Sequence, residues 1–150
     1  MEEDTLEISL VNDLREIASV AAMIDEFCAQ RNYAPQIGYA INLSIEEILT
    51  NRISFGYDDD EQHRIEVIVR VEENQLVVVL VDNSAPFDLS ATVEIDGEGS
   101  LEEGEELLAG LGLFLVNQVM DSVEYRRKNE CNILIMTKET QEAVEADSEP

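Results

Sequence analysis

Apolar residues in the first part of the chain predict a strand followed by a helix. Residues 4–11 predict a short β-strand. From Leu14 to about Gln30, apolar residues recur at the i, i+3, i+4 and i+7 positions, which is typical of an amphipathic helix. Asn12 or Asp13 is a candidate N-cap for this helix, and Glu16 stands where it would complete a capping interaction.

A second helix and a hairpin are predicted next. Pro35 suits the first turn of a helix, and apolar residues keep helical spacing to about Gly56. An acidic connector, YDDDEQH, leads into strand patterns at 63–72 and 75–82, whose close spacing indicates a β-hairpin. The first pattern alternates apolar and polar residues, as in a sheet with one solvated face. The second contains the run LVVVLV, which predicts a more central strand.

The remaining chain predicts a long loop, a helix and two strands. The acidic, glycine-containing stretch at about 89–108 is long for a loop inside a compact domain, which indicates a functional lid or a disordered segment. Residues 110–121 predict a helix, and residues 122–128 and 131–138 predict strands. The acidic residues 139–150 predict a disordered tail.

This order of elements, β-α-α-β-β-loop-α-β-β, favours an α+β fold. Adjacent hairpins and grouped helices indicate a two-layer α/β sandwich, with a mixed, mostly antiparallel sheet and helices on one face. A length of 150 residues, 45% of them hydrophobic, supplies one sizeable core. We therefore expect a single domain over residues 1–138.

Charge and cysteine content restrict the function classes. The chain has 34 acidic and 9 basic residues, a formal net charge of −25, which argues against binding nucleic acid or an anionic membrane surface. No apolar run is long enough for a membrane span, and the first residues lack the pattern of a secretory signal. Cys28 and Cys131 are too few for a disulfide framework, so we expect two buried thiols in a cytoplasmic protein. The only histidine, His63, is expected in a solvated loop.

The end of the predicted second helix carries the first candidate site. Glu47 and Asn51 lie four residues apart on one flank of its apolar arc, so both side chains can point along the edge of a cavity. An amide oxygen can coordinate magnesium, and a carboxylate can act as a base. The alternative is two ordinary surface residues on a helix shoulder.

Two further segments carry candidate ligand-binding residues. Asp82 ends a very apolar strand in the sequence DNSAPFD, where its carboxylate can accept from the exocyclic amine of a purine, or can form only an ordinary Asx turn. Gly110, Leu111, Gly112 and Leu113 open a predicted helix. There, glycine and free backbone N–H groups can approach phosphate, or the glycines can be a plain helix entry.

The order of these segments resembles the GHKL ATPase superfamily, and within it the small anti-sigma-factor serine kinases. EEILTNRISFGY is similar to the N-box of that branch, VDNSAPFDLSA to its first glycine box, and GLGLFLVNQVMDSVEYRR to its second. The similarity covers about residues 5–138. It implies the GHKL, or histidine kinase-like, ATPase fold.

The resemblance also implies roles for individual residues. Asn51 would coordinate the magnesium ion that bridges the phosphates of ATP, and Glu47 would be the catalytic residue that orients or deprotonates the attacking serine. Asp82 would bind the adenine amine. The nucleotide-binding set implied in this way is Asn51, Arg52, Asp82, Ser84, Phe87, Gly110, Leu111, Gly112 and Leu113.

Three residues depart from the family pattern. Ser84 and Ala109 stand where the family usually has glycine, and Arg52 stands where the branch generally has a small residue. Helical geometry places Arg52 near the middle of the apolar arc, so it must snorkel to solvent, pair with a carboxylate, or face phosphate. No lysine or arginine occurs from Val71 through Tyr125, so Arg52 is a candidate phosphate ligand.

Three functions compete at this stage. The first is a magnesium- and ATP-dependent serine/threonine kinase that phosphorylates a STAS-type anti-sigma-factor antagonist in bacterial partner switching. The second is a non-catalytic module, with or without ATP, that sequesters a sigma factor or another basic partner. The third, the catalytic part of a histidine kinase, rests on fold analogy alone. The family tendency implies a homodimer, which the high negative charge opposes.

Overall fold

The computed structural model describes residues 4–86 and 115–140. Strand β1 (Thr5–Val11) is followed by helix α1 (Ile17–Gln30) and helix α2 (Pro35–Phe55). Strands β2 (Arg64–Glu72) and β3 (Gln75–Asp82) form a hairpin, and β4 (Ser122–Lys128) and β5 (Cys131–Glu139) form another. Residues 115–119 are helical, in agreement with the prediction for 110–121, whose first five residues lie outside the described ranges.

The five described strands form one sheet in the order β1-β2-β3-β5-β4, and every neighbouring pair is antiparallel. The predicted α+β sandwich is confirmed, with an antiparallel sheet where a mixed, mostly antiparallel one was expected. The central position predicted for the LVVVLV strand is also confirmed, because β3 lies between β2 and β5. Consequently the polar end of β3 lies beside the start of β5.

The core lies between the helices and one face of this sheet. Ile41, Ile45 and Leu49 of α2 are at most 2% exposed, and so are the alternating β2 residues Ile65 and Val67. The opposite face carries a half-buried apolar stripe that no described helix covers: Ile68, Val79, Val81, Ile133 and Ile135. The period-two pattern of β2 therefore identified its buried face correctly.

The first helical region begins as the sequence predicts. Asp13 caps a short 3-10 turn, accepting from the backbone N of Arg15 at 2.9 Å, and α1 continues from it. The carboxylate of Glu16 reaches back to the backbone N of Val11 at 3.4 Å. The capping interaction is present, but it ties the turn to the end of β1 and not to the cap residue itself.

Strand β5 extends one residue beyond position 138, the predicted end of the domain. Glu139 is the last residue of β5, and the backbone N of Thr140 donates to the carbonyl of Asn74 at 3.1 Å. The first two residues of the predicted tail are thus attached to the sheet, while 141–150 lie outside the described ranges. Among the described helices, none combines the length and apolarity needed to cross a bilayer.

Candidate functional site

Helix α2 presents Glu47 and Asn51 on one shoulder, as its periodicity predicted. Asn51 is only 7% exposed, and Glu47, one turn earlier, is half-buried. Burial raises the pKa of the Glu47 carboxyl above its ordinary value, and the charge of Glu46 adds to the shift. A raised pKa makes the Glu47 carboxylate a better proton acceptor than a fully solvated one.

Asp82 is a buried carboxylate at the end of β3, with 4% of its surface exposed. Its Oδ1 accepts from the backbone N of Ser84 at 2.9 Å, from the Ser84 hydroxyl, and from Nδ2 of Asn132 at 2.9 Å. The first contact is the Asx turn that the sequence left open. No described residue donates to Oδ2, so the carboxylate combines an internally bonded oxygen with one on which a ligand can act.

Arg52 connects the shoulder of α2 to this strand end. Its Nη1 donates to the Ser84 hydroxyl at 2.7 Å and to the carbonyl of Ala85 at 3.2 Å. Its Nε and Nη2 donate to Oδ1 of Asn51 at 3.2 and 2.8 Å. The segments that contain Asn51 and Asp82, two residues 31 positions apart in the chain, therefore meet through one guanidinium.

The environment of Arg52 excludes one of its three predicted placements. The residue is 5% exposed, so the snorkelling alternative is wrong. Burial lowers the pKa of the guanidinium, and the nearby charge of Asp82 opposes that shift. Arg52 thus lies within electrostatic reach of a carboxylate. Its contact with phosphate stays a prediction.

Residues of β4 and β5 complete the site, and the sequence did not indicate them. Asn132 is 3% exposed and pairs with Asp82 across the sheet. Its Nδ2 also donates to the carbonyls of Ser84 and Ala85, at 3.2 and 3.0 Å. Its Oδ1 accepts from the Tyr125 hydroxyl at 2.5 Å and from Nη1 of Arg127 at 3.0 Å. Arg127 supplies a second cation, and its Nη1 also donates to Ser84 O at 2.9 Å.

A signal for Asn132 was available in the strand pattern. In the predicted strand 131–138, Leu134 and Met136 are the inward residues, and an alternation of two also places Asn132 on the buried face. A buried polar residue must find hydrogen-bond partners. Among the described residues, six polar or charged ones are buried, and all but Ser44 belong to this one network: Asn51, Arg52, Asp82, Ser84 and Asn132.

Gly56 lets the end of α2 approach the strand end closely. The backbone N of Ala85 donates to the Gly56 carbonyl at 2.9 Å. A Cβ on Gly56 would lie 2.6 Å from the carbonyl oxygen of Arg52 and 2.7 Å from Cβ of Ser84. A residue with a side chain would therefore push α2 and Ser84 apart.

The histidine in the loop after α2 packs against other residues of that loop, which the sequence did not predict. The side chain of His63 is 17% exposed, so the prediction of a solvated histidine is wrong. Its ring stacks on Tyr57 at 4.3 Å between centroids, and its Nε2 lies 2.9 Å from Oδ1 of Asp59. Burial, with a smaller contribution from Asp82, raises the pKa of the Tyr57 hydroxyl to about 12.

The arrangement around Asn51 does not fit a magnesium ion on that residue. An amide oxygen has two lone pairs, and two N–H groups of Arg52 are directed at Oδ1. A metal ion on this oxygen would need the guanidinium to move away. The predicted binding residues Phe87, Gly110, Leu111, Gly112 and Leu113 lie outside the described ranges, so their phosphate and adenine contacts stay predictions.

A family model described as a histidine kinase-like ATPase domain matches residues 10–138. Several bacterial proteins named serine-protein kinase RsbW are similar to this chain. One from Oceanobacillus iheyensis is 29% identical over 98 residues, which cover 64% of this chain and 61% of the relative. One from Halalkalibacterium halodurans is 30% identical over 115 residues, 70% of this chain and 68% of the relative.

A third relative of the same name, from Listeria innocua, is 30% identical over 86 residues, which cover 56% of this chain and 55% of the relative. The match therefore spans less than two thirds of the length of the Oceanobacillus and Listeria proteins. The family model, in contrast, includes every described element from the end of β1 to β5.

Proposed function

Because the chain belongs to the histidine kinase-like ATPase family, in its anti-sigma-factor kinase branch, we propose that it is an ATP-dependent protein serine/threonine kinase. Its substrate would be the serine of a STAS-domain anti-sigma-factor antagonist in a bacterial, cytoplasmic partner-switching system. The observation that carries this proposal is the meeting of Asn51 and Arg52 with the strand end of Asp82 in one buried polar network.

Asp82 is suited to bind adenine. Its Oδ1 is held by Ser84 and Asn132, which fixes the orientation of the carboxylate plane. The exocyclic amine of adenine is a hydrogen-bond donor, and Oδ2 is the acceptor that the described residues leave for it. A buried carboxylate gains strongly from such a partner because its own desolvation is costly.

Glu47 is the proposed base. Phosphoryl transfer depends mainly on positioning and charge neutralisation, with one carboxylate to orient the attacking hydroxyl and accept its proton. Glu47 lies one helical turn from Asn51, and partial burial raises its pKa toward the range in which a carboxylate accepts protons effectively. Magnesium dependence of the phosphoryl transfer step belongs to this proposal as a prediction, although the described position of Arg52 does not fit a metal on Asn51.

Transfer of labelled phosphate from ATP to the serine of a cognate STAS protein tests the proposal. The substitution Glu47→Ala is expected to lower the transfer rate by about 100-fold or more. Glu26→Ala removes an exposed helical glutamate in α1 and is the matched control, expected to keep the full rate. Full transfer by Glu47→Ala would rule out this base, and no transfer by the unaltered protein would rule out the kinase.

A sequestering module is the second candidate, and Ser84 favours it. Its side chain occupies the space beside Asp82 where the family usually has glycine, and its hydroxyl donates to the Asp82 carboxylate. The net charge of −25 suits a basic partner, such as the DNA-binding region of a sigma factor. Calorimetry with ATP distinguishes the two: absence of any heat or thermal shift leaves only the sequestering role.

A further inference from the structure

One oxygen atom in the site accepts two hydrogen bonds from a single guanidinium. Oδ1 of Asn51 accepts from Nε and Nη2 of Arg52, at 3.2 and 2.8 Å. An amide oxygen has two lone pairs, so this bidentate contact uses its full acceptor capacity. The same oxygen is the one available to Asn51 for binding a metal ion, because magnesium in proteins takes oxygen ligands.

The guanidinium of Arg52 is fixed in this position from its other side. Nη1 donates to the Ser84 hydroxyl and the Ala85 carbonyl, at 2.7 and 3.2 Å. Arg52 is 5% exposed, and the charge of Asp82 lies nearby. Leaving Asn51 therefore requires a rearrangement of the strand end as well as a change of rotamer.

A divalent ion cannot share the oxygen with Arg52. Magnesium binds oxygen at about 2.1 Å, which would bring it close to a like-charged guanidinium in a buried site. Repulsion between charges is strongest where water is excluded. The two cations therefore exclude each other at Asn51.

We propose that Arg52 and magnesium compete for Oδ1 of Asn51, so that Arg52 controls the metal requirement of nucleotide binding. The described arrangement is the metal-excluding state, and a metal-loaded site requires Arg52 to release the amide. Arg52 is thus a positioning residue that acts through Asn51. The proposal deepens the proposed function and rests on it, because the metal would enter with ATP.

The test measures the dissociation constant of ATP by calorimetry, once in excess EDTA and once in excess magnesium chloride. The ratio of the two constants is the metal dependence. For the unaltered protein we expect a ratio within about threefold, and for Arg52→Gln at least about tenfold, because the couplings between sites usually lie in this range. Arg70→Gln removes an exposed arginine of β2 and is the charge-matched control.

A variant at Asn51 separates competition from a general loss of charge. If Arg52 acts through Asn51, the metal dependence gained in Arg52→Gln disappears when Asn51→Ala is added. If it acts only through its charge, the gain persists, and that result overturns the proposal. An equal ratio for the unaltered protein, Arg52→Gln and Arg70→Gln also overturns it, while leaving ATP binding and the proposed function intact.

Two further outcomes of this test also support or overturn the proposal. Should circular dichroism show that Arg52→Gln does not fold, Arg52→Lys replaces it, since lysine keeps the charge but cannot make the bidentate contact. An unchanged ratio in Arg52→Lys then overturns the proposal, and a raised ratio supports it. Absence of ATP binding in every folded variant, with and without magnesium, overturns the proposed function itself and the competition with it.

Discussion

The side-chain amide of Asn132 donates to Oδ1 of Asp82 at 2.9 Å, although the two residues are 50 positions apart in the chain. They are direct partners in the pairing of β3 with β5, so the register of the sheet brings them together. Both are almost fully buried. Through this contact β5 becomes part of the candidate binding site. The buried charged groups of that site, Arg52 and Asp82, come from earlier segments of the chain.

Removal of the Asn132 amide is expected to destabilise the protein. Asn132→Ala leaves the buried Asp82 carboxylate short of one donor and the Ser84 and Ala85 carbonyls short of another, which costs about 2–3 kcal/mol of unfolding free energy. Urea unfolding measures this loss. Asn42→Ala removes a half-buried surface asparagine of α2 that donates to Asp25 at 2.7 Å, and its effect should stay within about 0.5 kcal/mol. Equal effects of the two substitutions would contradict the role given to Asn132.

The two described glycines of the α2 region should respond in opposite directions. Gly56→Ala places a methyl group 2.6–2.7 Å from Arg52 and Ser84 atoms, and we expect a loss of about 2 kcal/mol. Gly38→Ala meets only Cys28 atoms at 3.8 Å or more within a helix, and a gain of about 0.5–1 kcal/mol is expected. Thermal unfolding of both variants provides the comparison. A stabilising Gly56→Ala would show that the helix end and Ser84 are not in close contact.

The hydroxyl of Ser44 is buried in α2 without a hydrogen-bond partner among the described residues. Ser44→Ala should therefore stabilise the protein by about 1 kcal/mol, since an unsatisfied buried polar group is removed. Ser54→Ala, at an exposed position of the same helix, gains the same helix propensity and serves as the control. The difference between the two unfolding free energies reports the hydroxyl alone. No difference would mean that the Ser44 hydroxyl is satisfied in solution.

Glu47 should make stability depend on pH. Its pKa is raised in the folded protein, so its contribution to stability is present below the pKa of the unfolded chain and is lost as the pH rises through the folded value. Glu47→Gln does not titrate, so the variant should gain stability relative to the unaltered protein as the pH rises above 4.5, the ordinary pKa of a glutamate. Urea unfolding at a series of pH values measures the difference. A difference that stays constant with pH would contradict the raised pKa.

Periodicity and turn chemistry were sufficient to predict most of the described elements. The bounds of α2, the β2–β3 hairpin and the β4–β5 hairpin agree with the sequence to within a few residues. At the turn of the first hairpin, Asn74 adopts a φ of 65°, a left-handed conformation that asparagine tolerates better than most residues. Periodicity and turn residues are local features, formed by residues a few positions apart. A single sequence is therefore sufficient to predict the elements that depend on them.

The placements of Arg52 and Asn132 depended on the tertiary structure. Helical spacing restricted Arg52 to three environments, but only the approach of the β3 end to Gly56 brought Ser84 and Ala85 within reach of its guanidinium. Asn132 became part of the site because β5 pairs with β3 in one register among several that its apolar pattern allows.

The sequence by itself determined the order of helices and strands, the buried face of each, and the positions of Glu47, Asn51 and Asp82 at the ends of apolar elements. These properties follow from local spacing, because solvent exposure along a helix or strand repeats with its period. Only the tertiary structure decided which polar groups bond to one another, since that depends on strand register and on how closely a helix end meets a strand end. The occupation of the Asn51 oxygen by Arg52 is a consequence of that packing.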